Sequence, residues 1–259
     1  MINESGVVNV LQEERLEKIL TLLSQKNKMS NDALCKQLFC SVSTLRRDLI
    51  KLEKNDLIKR WHGGASLISN TNNEISFLFR EYESSDEKAY ISQLASEFIQ
   101  DNQALFLDSS STVAKLCQHL IGRRLIVVTN GIQNMIYLNQ SESIQLFALG
   151  GLVKLNSLAV VGNLAGEFLQ QFKADIAFLS CRGMSLEGIF EADSNQAFVK
   201  QQMINNAKKT VLLCDHSKFD SEHFFKSASF DQIDILITDK KPSPAYLEKL
   251  AKFRCSVIY

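Results

Sequence analysis

Apolar residues recur at helical spacing three times near the start of the chain. Leu16, Ile19, Leu20 and Leu23 predict a helix over Glu13–Gln25, with Glu13 and Glu14 suited to the positive end of its dipole. Asn27-Lys28 breaks it, and Ser30 or Asn31 can cap a second helix running through Leu34 and Cys35 to about Leu38. Val42, Leu45, Leu49 and Leu52 form the inner stripe of a third helix over Ser41–Glu53, where the Ser41 hydroxyl can accept from the free N–H groups of the first turn. Off that stripe lie Ser43, Thr44, Arg46, Arg47 and Lys51. Leu57 to Ala65 then reads as a short strand, a Gly63-Gly64 turn and a return strand, with Arg60 and His62 near the tip.

The pattern changes after Leu67. Ser69–Asn73 is polar and aperiodic, as a linker would be, and Ser76–Glu83 is amphipathic enough for a joining helix. Beyond it, apolar runs at 104–107, 125–128, 144–149, 175–179, 210–214, 235–238 and 256–259 alternate with helical stretches at 86–99, 112–120, 133–138, 164–172 and 196–206. A last helix is started by Pro242-Ser243-Pro244. Apolar strands set between helices imply an α/β domain with a largely parallel sheet. The expected division is a helix-turn-helix unit over 1–68, a linker and joining helix over 69–84, and an α/β unit over 85–259.

A chain of 259 residues suits one small and one medium domain, and 45% hydrophobic with 22% charged residues is ordinary for a globular protein. The formal net charge is zero, but residues 1–66 hold eleven Lys/Arg against eight Asp/Glu and the remainder 18 against 21. That asymmetry favours a basic N-terminal module. Six cysteines without a CxxC pair read as reduced, buried thiols. Met1–Ser5 has no basic n-region, and no apolar run approaches the roughly 18 residues of a membrane span, so a soluble, cytoplasmic protein is expected.

Two short helices, a tight turn and a face of hydroxyls and arginines make a helix-turn-helix, whose second helix enters the major groove. Ser41, Ser43, Thr44, Arg46, Arg47 and Lys51 are the candidate contacts there, because hydroxyls and arginines bond base edges and cations neutralise phosphates. The hairpin is a wing: Arg60 suits a phosphate, His62 lies beside it, and Gly63 and Gly64 would let backbone approach the sugar-phosphate chain. Arg46 and Arg47 stand about 100° apart on a helix. One therefore reads bases and the other holds phosphate, and the spacing leaves open which.

In the second unit ligands belong beyond the carboxyl ends of the strands. Asp108-Ser109-Ser110-Ser111-Thr112 gathers a carboxylate, hydroxyls and backbone N–H groups at a helix start, a seat for a phosphate. Thr129-Asn130, Gly150-Gly151, Asp175 and Asp215-His216-Ser217-Lys218 add polar rims. Enzyme signatures are missing. Asp215, His216 and Ser217 are adjacent and cannot form a relay, and there is no GxSxG, GxxxxGK[ST] or GxGxxG. His216 and His223 lack metal-ligand spacing, so neither a metal nor a cofactor is expected.

Ser41, Thr44, Arg46-Arg47-Asp48-Leu49, Leu52-Glu53, Arg60 and His62-Gly63-Gly64-Ala65 together resemble the N-terminal signature of the DeoR family of bacterial transcriptional regulators. The resemblance covers nearly the whole chain. It implies a winged helix-turn-helix joined to a sensor related to ribose-5-phosphate isomerase. Such proteins usually repress sugar-catabolic operons, sometimes activate them, and typically bind a phosphorylated sugar. Leu107-Asp108-Ser109-Ser110-Ser111-Thr112 resembles the family's Asp-x-Gly-Ser/Thr-Thr loop. The resemblance implies that Ser110, Ser111 and Thr112 hold the phosphate while Asp108, Lys200, Asp215 and Lys218 surround the sugar; Ser109, Thr129, Asn130, Gly150, Gly151 and Asp175 complete the candidate site. Three positions depart from the family pattern: Ser110 and Asp56 stand where glycine is usual, and Gln201 where a second basic residue often follows Lys200.

The expected partners are double-stranded operator DNA, a sugar phosphate and further copies of the chain in a dimer or tetramer, with no membrane. Two alternatives stand beside this. One is a sugar-phosphate isomerase with a DNA-binding-like appendage, for which Asp108 or Asp175 could serve as carboxylate base. The other is a sensor that has lost its ligand and only assembles the DNA-binding heads.

Overall fold

The computed structural model describes residues 12, 15, 16, 18–23, 26–54, 57–68 and 77–259. It divides into two compact units, Met1–Ser84 and Ser85–Tyr259. Several expectations fall outside the described residues: the acidic start at Glu13 and Glu14, the end at Gln25, Asp56, the linker Ser69–Asn73 and Ser76.

The first unit opens with helix α1, whose described positions are 12, 15, 16, 18–23 and 26. Next come strand β1 (Lys28–Ser30), helices α2 (Asn31–Leu38) and α3 (Val42–Lys54), strands β2 (Ile58–Trp61) and β3 (Gly64–Leu67), and helix α4 (Phe77–Tyr82). Leu16, Ile19, Leu20 and Leu23 meet Leu34, Leu45, Leu49, Leu52 and Ile58 in one core. Ser30 caps α2 by accepting from the Ala33 N–H at 3.2 Å, and Ser41 caps α3 by accepting from the Thr44 N–H at 3.2 Å. Between these helices Phe39 takes the left-handed conformation, φ 49°.

Two features were not read from the sequence. The break expected at Asn27-Lys28 gives way to a strand, Lys28–Ser30, that pairs antiparallel with β3, so the wing is a three-stranded sheet in the order β1-β3-β2. Val42, placed on the inner stripe, is 58% exposed, because the core under α3 begins at Leu45. The buried side of α3 instead includes Asp48, which accepts two bonds from Arg15, at 2.6 and 3.1 Å, and one from the Gln12 amide at 3.1 Å.

The second unit runs α5 (Ser85–Ser96), β4 (Ala104–Leu107), α6 (Ser111–Leu116), β5 (Leu125–Thr129), α7 (Ile132–Leu138), β6 (Ile144–Ala148), β7 (Leu152–Lys154), β8 (Ala159–Val161) and α8 (Asn163–Leu169). It continues through β9 (Ala174–Leu179), β10 (Gly183–Ser185), β11 (Gly188–Glu191), α9 (Ser194–Asn206), β12 (Ala207–Leu213), β13 (Phe225–Ala228), β14 (Ile235–Ile237), α10 (Pro244–Lys252) and β15 (Ser256–Ile258). Seven strands form one sheet in the order β15-β14-β12-β9-β4-β5-β6, and every neighbouring pair is parallel. These are the seven apolar runs expected. Two separate apolar clusters contain the sheet's side chains, one with Phe106, Leu179 and Leu212, the other with Leu105, Leu107, Phe178 and Val211. Consecutive residues such as Leu105 and Phe106 thus enter different clusters, as the period of two in a doubly covered sheet requires. A small antiparallel sheet β10-β11-β13 and the hairpin β7-β8 are additions the pattern did not announce. Among the described residues no helix is long and apolar enough to cross a membrane.

Candidate functional sites: a DNA-binding face and an effector loop

The first unit presents a polar face along α3. Ser41, Ser43, Arg46 and Arg47 are exposed, while Thr44 and Lys51 are half-buried. The Ser41 hydroxyl shares hydrogen bonds of 2.9 Å with the hydroxyls of Ser43 and Thr44, so the start of α3 carries a pre-ordered set of three. Arg46 lines a groove of about 620 Å³ with Val42, Glu53, Arg60, His62 and Gly63, between α3 and the wing. Arg47 is absent from its lining.

The wing tip differs from expectation at two residues. The Arg60 side chain donates to the Glu53 carboxylate at 2.7 Å and its backbone N–H to the same group at 3.3 Å, so the cation is held against α3. That partner keeps the Glu53 carboxyl below its usual range. Gly64 is buried: a Cβ there would stand 2.4 Å from the Met29 carbonyl oxygen and 2.5 Å from the Trp61 ring. Its missing side chain serves the β1-β3 packing, and the residue also lines the groove between α3 and the wing. Gly63 makes the exposed turn with φ 102°.

In the second unit the polar residues gather where β4, β9 and β12 end. Asp108 is fully buried after β4, accepting from the Ser110 and Ser180 N–H groups at 2.9 Å each. Its second oxygen also lies 3.0 Å from the Lys200 ammonium, which reaches Glu191 and the Ser180 carbonyl at 2.5 Å. Burial alone would lower the Lys200 pKa, but the two carboxylates outweigh it and the group is raised, a fixed cation. On the other side of Ser180, the Lys218 ammonium donates to the Ser180 hydroxyl at 3.2 Å and lies 3.3 Å from Asp215. Burial opposes ionisation of Asp215, yet Lys218, the Ser217 hydroxyl and Lys88 together hold its pKa below the usual value.

The serine loop is buried from Asp108 to Thr112. Ser110 has φ −75° and its hydroxyl caps α6 by accepting from the Val113 N–H at 3.2 Å, so this position needs no glycine. Ser109 donates to Gln196 at 3.3 Å. The Thr112 hydroxyl and the Asn130 side-chain amide oxygen, Oδ1, are buried and find no protein partner. Thr129 is fully engaged: its hydroxyl donates to the Leu107 carbonyl at 2.7 Å and accepts from Gly131 and Asn134. It joins the ends of β4 and β5. Gly150 and Gly151 follow β6 at the same sheet edge, where the Leu149 N–H donates to the Thr129 carbonyl at 3.0 Å.

Asp175 does not belong with this group. It sits at the start of β9, accepting from the Ala104 N–H at 2.9 Å and pairing with Lys208 at 2.8 Å. Ala104 begins β4 and Asp108 follows its end, and parallel pairing puts all strand starts on the edge opposite the loop. Its place just before an apolar run was mistaken for a place in the site.

Ser180, Glu191, Gln196, Asn134 and Lys88 were missed. Glu191 lies in a three-stranded sheet formed over long range, Asn134 bonds the Asp108 carbonyl from mid-helix at 2.7 Å, and Lys88 is a buried lysine at the start of α5. No local spacing marks any of them. All six cysteines are free, four of them buried, and burial pushes Cys255 up to about 12. The Cys181 and Cys214 sulfurs lie 3.7 Å apart beside the site.

Residues 15–71 match the DeoR-like helix-turn-helix domain, and residues 83–240 the DeoR C terminal sensor domain. The HTH-type transcriptional repressor GlcR of Bacillus subtilis is 36% identical over 92% of this chain and 93% of its own. The lactose phosphotransferase system repressor of Lactococcus lactis subsp. lactis is 32% identical over 93% of this chain and 96% of its own. Among solved structures, ribose 5-phosphate isomerase A of Methanocaldococcus jannaschii shares 18% identity over 53% of this chain and 55% of that one, with a TM-score of 0.39, too distant to argue from. The two family matches and the full-length relatives agree: the chain belongs to the DeoR family of transcriptional regulators.

Proposed function

We propose that the chain represses a sugar-catabolic operon by binding operator DNA through α3 and the wing, and that a phosphorylated sugar bound at the serine loop controls this binding. In this reading residues 1–68 bind DNA, 69–84 connect, and 85–259 bind effector and assemble the chain into a dimer or tetramer in the cytoplasm. The DNA contacts are Ser41, Ser43, Thr44, Arg46, Arg47, Lys51, His62 and Gly63, with Arg60 joining them on leaving Glu53. The effector is held by Ser111, Thr112, Asn130 and Lys218, with Asp108, Ser109, Ser110, Lys200 and Asp215 shaping the cradle.

The observation that carries the effector assignment is the pair of buried polar atoms on Thr112 and Asn130 that the protein leaves unsatisfied. An orphan of this kind costs about 1–3 kcal/mol, which a ligand's hydroxyl or phosphate oxygen would remove. The isomerase alternative is less well supported. The Asp108 carboxylate is taken by two N–H groups and Lys200, leaving it poorly placed as a base, and Asp175 is at the other edge. No cofactor enters the reading.

The test is a gel-shift titration with the operator. Arg46→Ala and Arg47→Ala combined should cost roughly 1–3 kcal/mol per lost base contact. Ser111→Ala and Lys218→Ala should bind operator normally and no longer respond to sugar phosphate. Full affinity in the double arginine variant sinks the DNA placement; a normal response in the sensor variants sinks the effector site.

A further inference from the structure

The recognition helix carries apolar side chains where a solvated helix needs none. Val42 is 58% and Ile50 46% exposed, on a face otherwise made of Ser43, Arg46 and Arg47. Neither belongs to the core, whose contributions from α3 are Leu45, Leu49 and Leu52. Val42 and Arg46 stand four residues apart, one turn and about 40° round the helix, so their side chains are neighbours. Both line the groove between α3 and the wing. Val42 is also the first residue of α3, and the first residues of a recognition helix are those that reach base edges.

An exposed β-branched methyl pair at that place has one chemical counterpart in the major groove, the C5-methyl group of thymine. Serine and arginine beside it read hydrogen-bonding edges and detect no methyl group, and Thr44, which has a methyl of its own, is half-buried with its hydroxyl bonded to Ser41. We propose that Val42 reads a thymine methyl in each operator half-site, within two base steps of a guanine held by Arg46. This rests on the DNA-binding reading and adds a base to it. It also settles the division of labour on the helix: Arg46, beside Val42 and facing the groove, reads a base, and Arg47, about 100° further round, holds phosphate. The spacing of about 6 Å between the two Cα positions along the helix axis matches one to two base-pair rises.

The experiment begins by selecting duplexes from a random pool with the full-length chain. In the selected duplex each thymine is then replaced in turn by deoxyuridine, which removes only the C5-methyl group. Fluorescence anisotropy should show one position per half-site where this change weakens binding by about three- to fivefold, the loss expected for one buried methyl group. Val42→Ala should bind the thymine duplex more weakly and show no further loss with deoxyuridine at that position. Uniform affinity across all deoxyuridine duplexes overturns the proposal, as does an unchanged deoxyuridine penalty in Val42→Ala. Failure to enrich any sequence overturns the DNA-binding reading beneath it. Because Val42 is exposed, its replacement leaves the fold in place, and thermal unfolding of the variant checks this.

Discussion

Lys200 is the residue on which the candidate effector site turns. Its ammonium lies between two buried carboxylates, Asp108 and Glu191, and it also anchors the Ser180 carbonyl. Removing such a partner leaves like charges facing each other without water, at a cost of about 3–5 kcal/mol. Lys200→Met keeps the length of the side chain and loses the charge. The sensor should then unfold earlier by that amount in urea, followed by circular dichroism. Trp61, the chain's one tryptophan, lies in the other unit and its fluorescence transition should stay where it was. An unchanged sensor transition would mean that Asp108 and Glu191 are stabilised by other groups.

At the scale of elements, the wing shows what two adjacent glycines do. Gly63 turns the chain in open space, whereas Gly64 is closed in by the Met29 carbonyl and the Trp61 ring. A methyl group at Gly64 forces β1 away from β3, so Gly64→Ala should destabilise the first unit by about 1–3 kcal/mol, the usual cost of overpacking. Trp61 emission against temperature measures it directly. If Gly64→Ala melts like the parent chain, β1 is not packed as described. The same contrast explains what could be read from the amino acids alone. Leu45, Leu49 and Leu52 announce α3, and seven apolar runs announce the parallel sheet, because periodicity and burial are local properties. The strands β1, β10, β11 and β13 are three or four residues long and acquire meaning only from partners far away, as Ile189 does from Ala228. That Ser109–Thr112 starts a helix was legible for a similar reason: its serines are consecutive and one of them caps α6. Glu191 was not, since its role comes from Lys200 nine residues on and from a sheet that brings it back to Asp108. Val42 misled because helical periodicity gives a direction and says nothing about where the core stops.

For the whole molecule, the decisive fact is that each unit closes its own apolar core, one around α1 to α3 and two about the seven-stranded sheet. A ligand adds stability to the unit that holds its site by RT ln(1 + [L]/Kd), about 2.7 kcal/mol at a hundredfold excess over Kd. For a unit spanning 85–259, each kcal/mol moves the melting point by about 2–4 °C. A panel of pentose and hexose phosphates should therefore contain one compound that raises the sensor transition by about 5–10 °C. The unphosphorylated sugar should give much less, because it lacks the group that Lys218, Thr112 and the serine loop receive in the proposed function. Lys218→Ala should abolish the shift while leaving the Trp61 transition untouched. A panel in which no phosphate ester moves the transition would favour the alternative in which the second unit only assembles the heads. Repeating the measurement with operator present then separates the two roles of the ligand. An effector that disfavours the DNA-bound arrangement must, by reciprocity, bind more weakly to the operator complex, so its melting shift should shrink when operator is added.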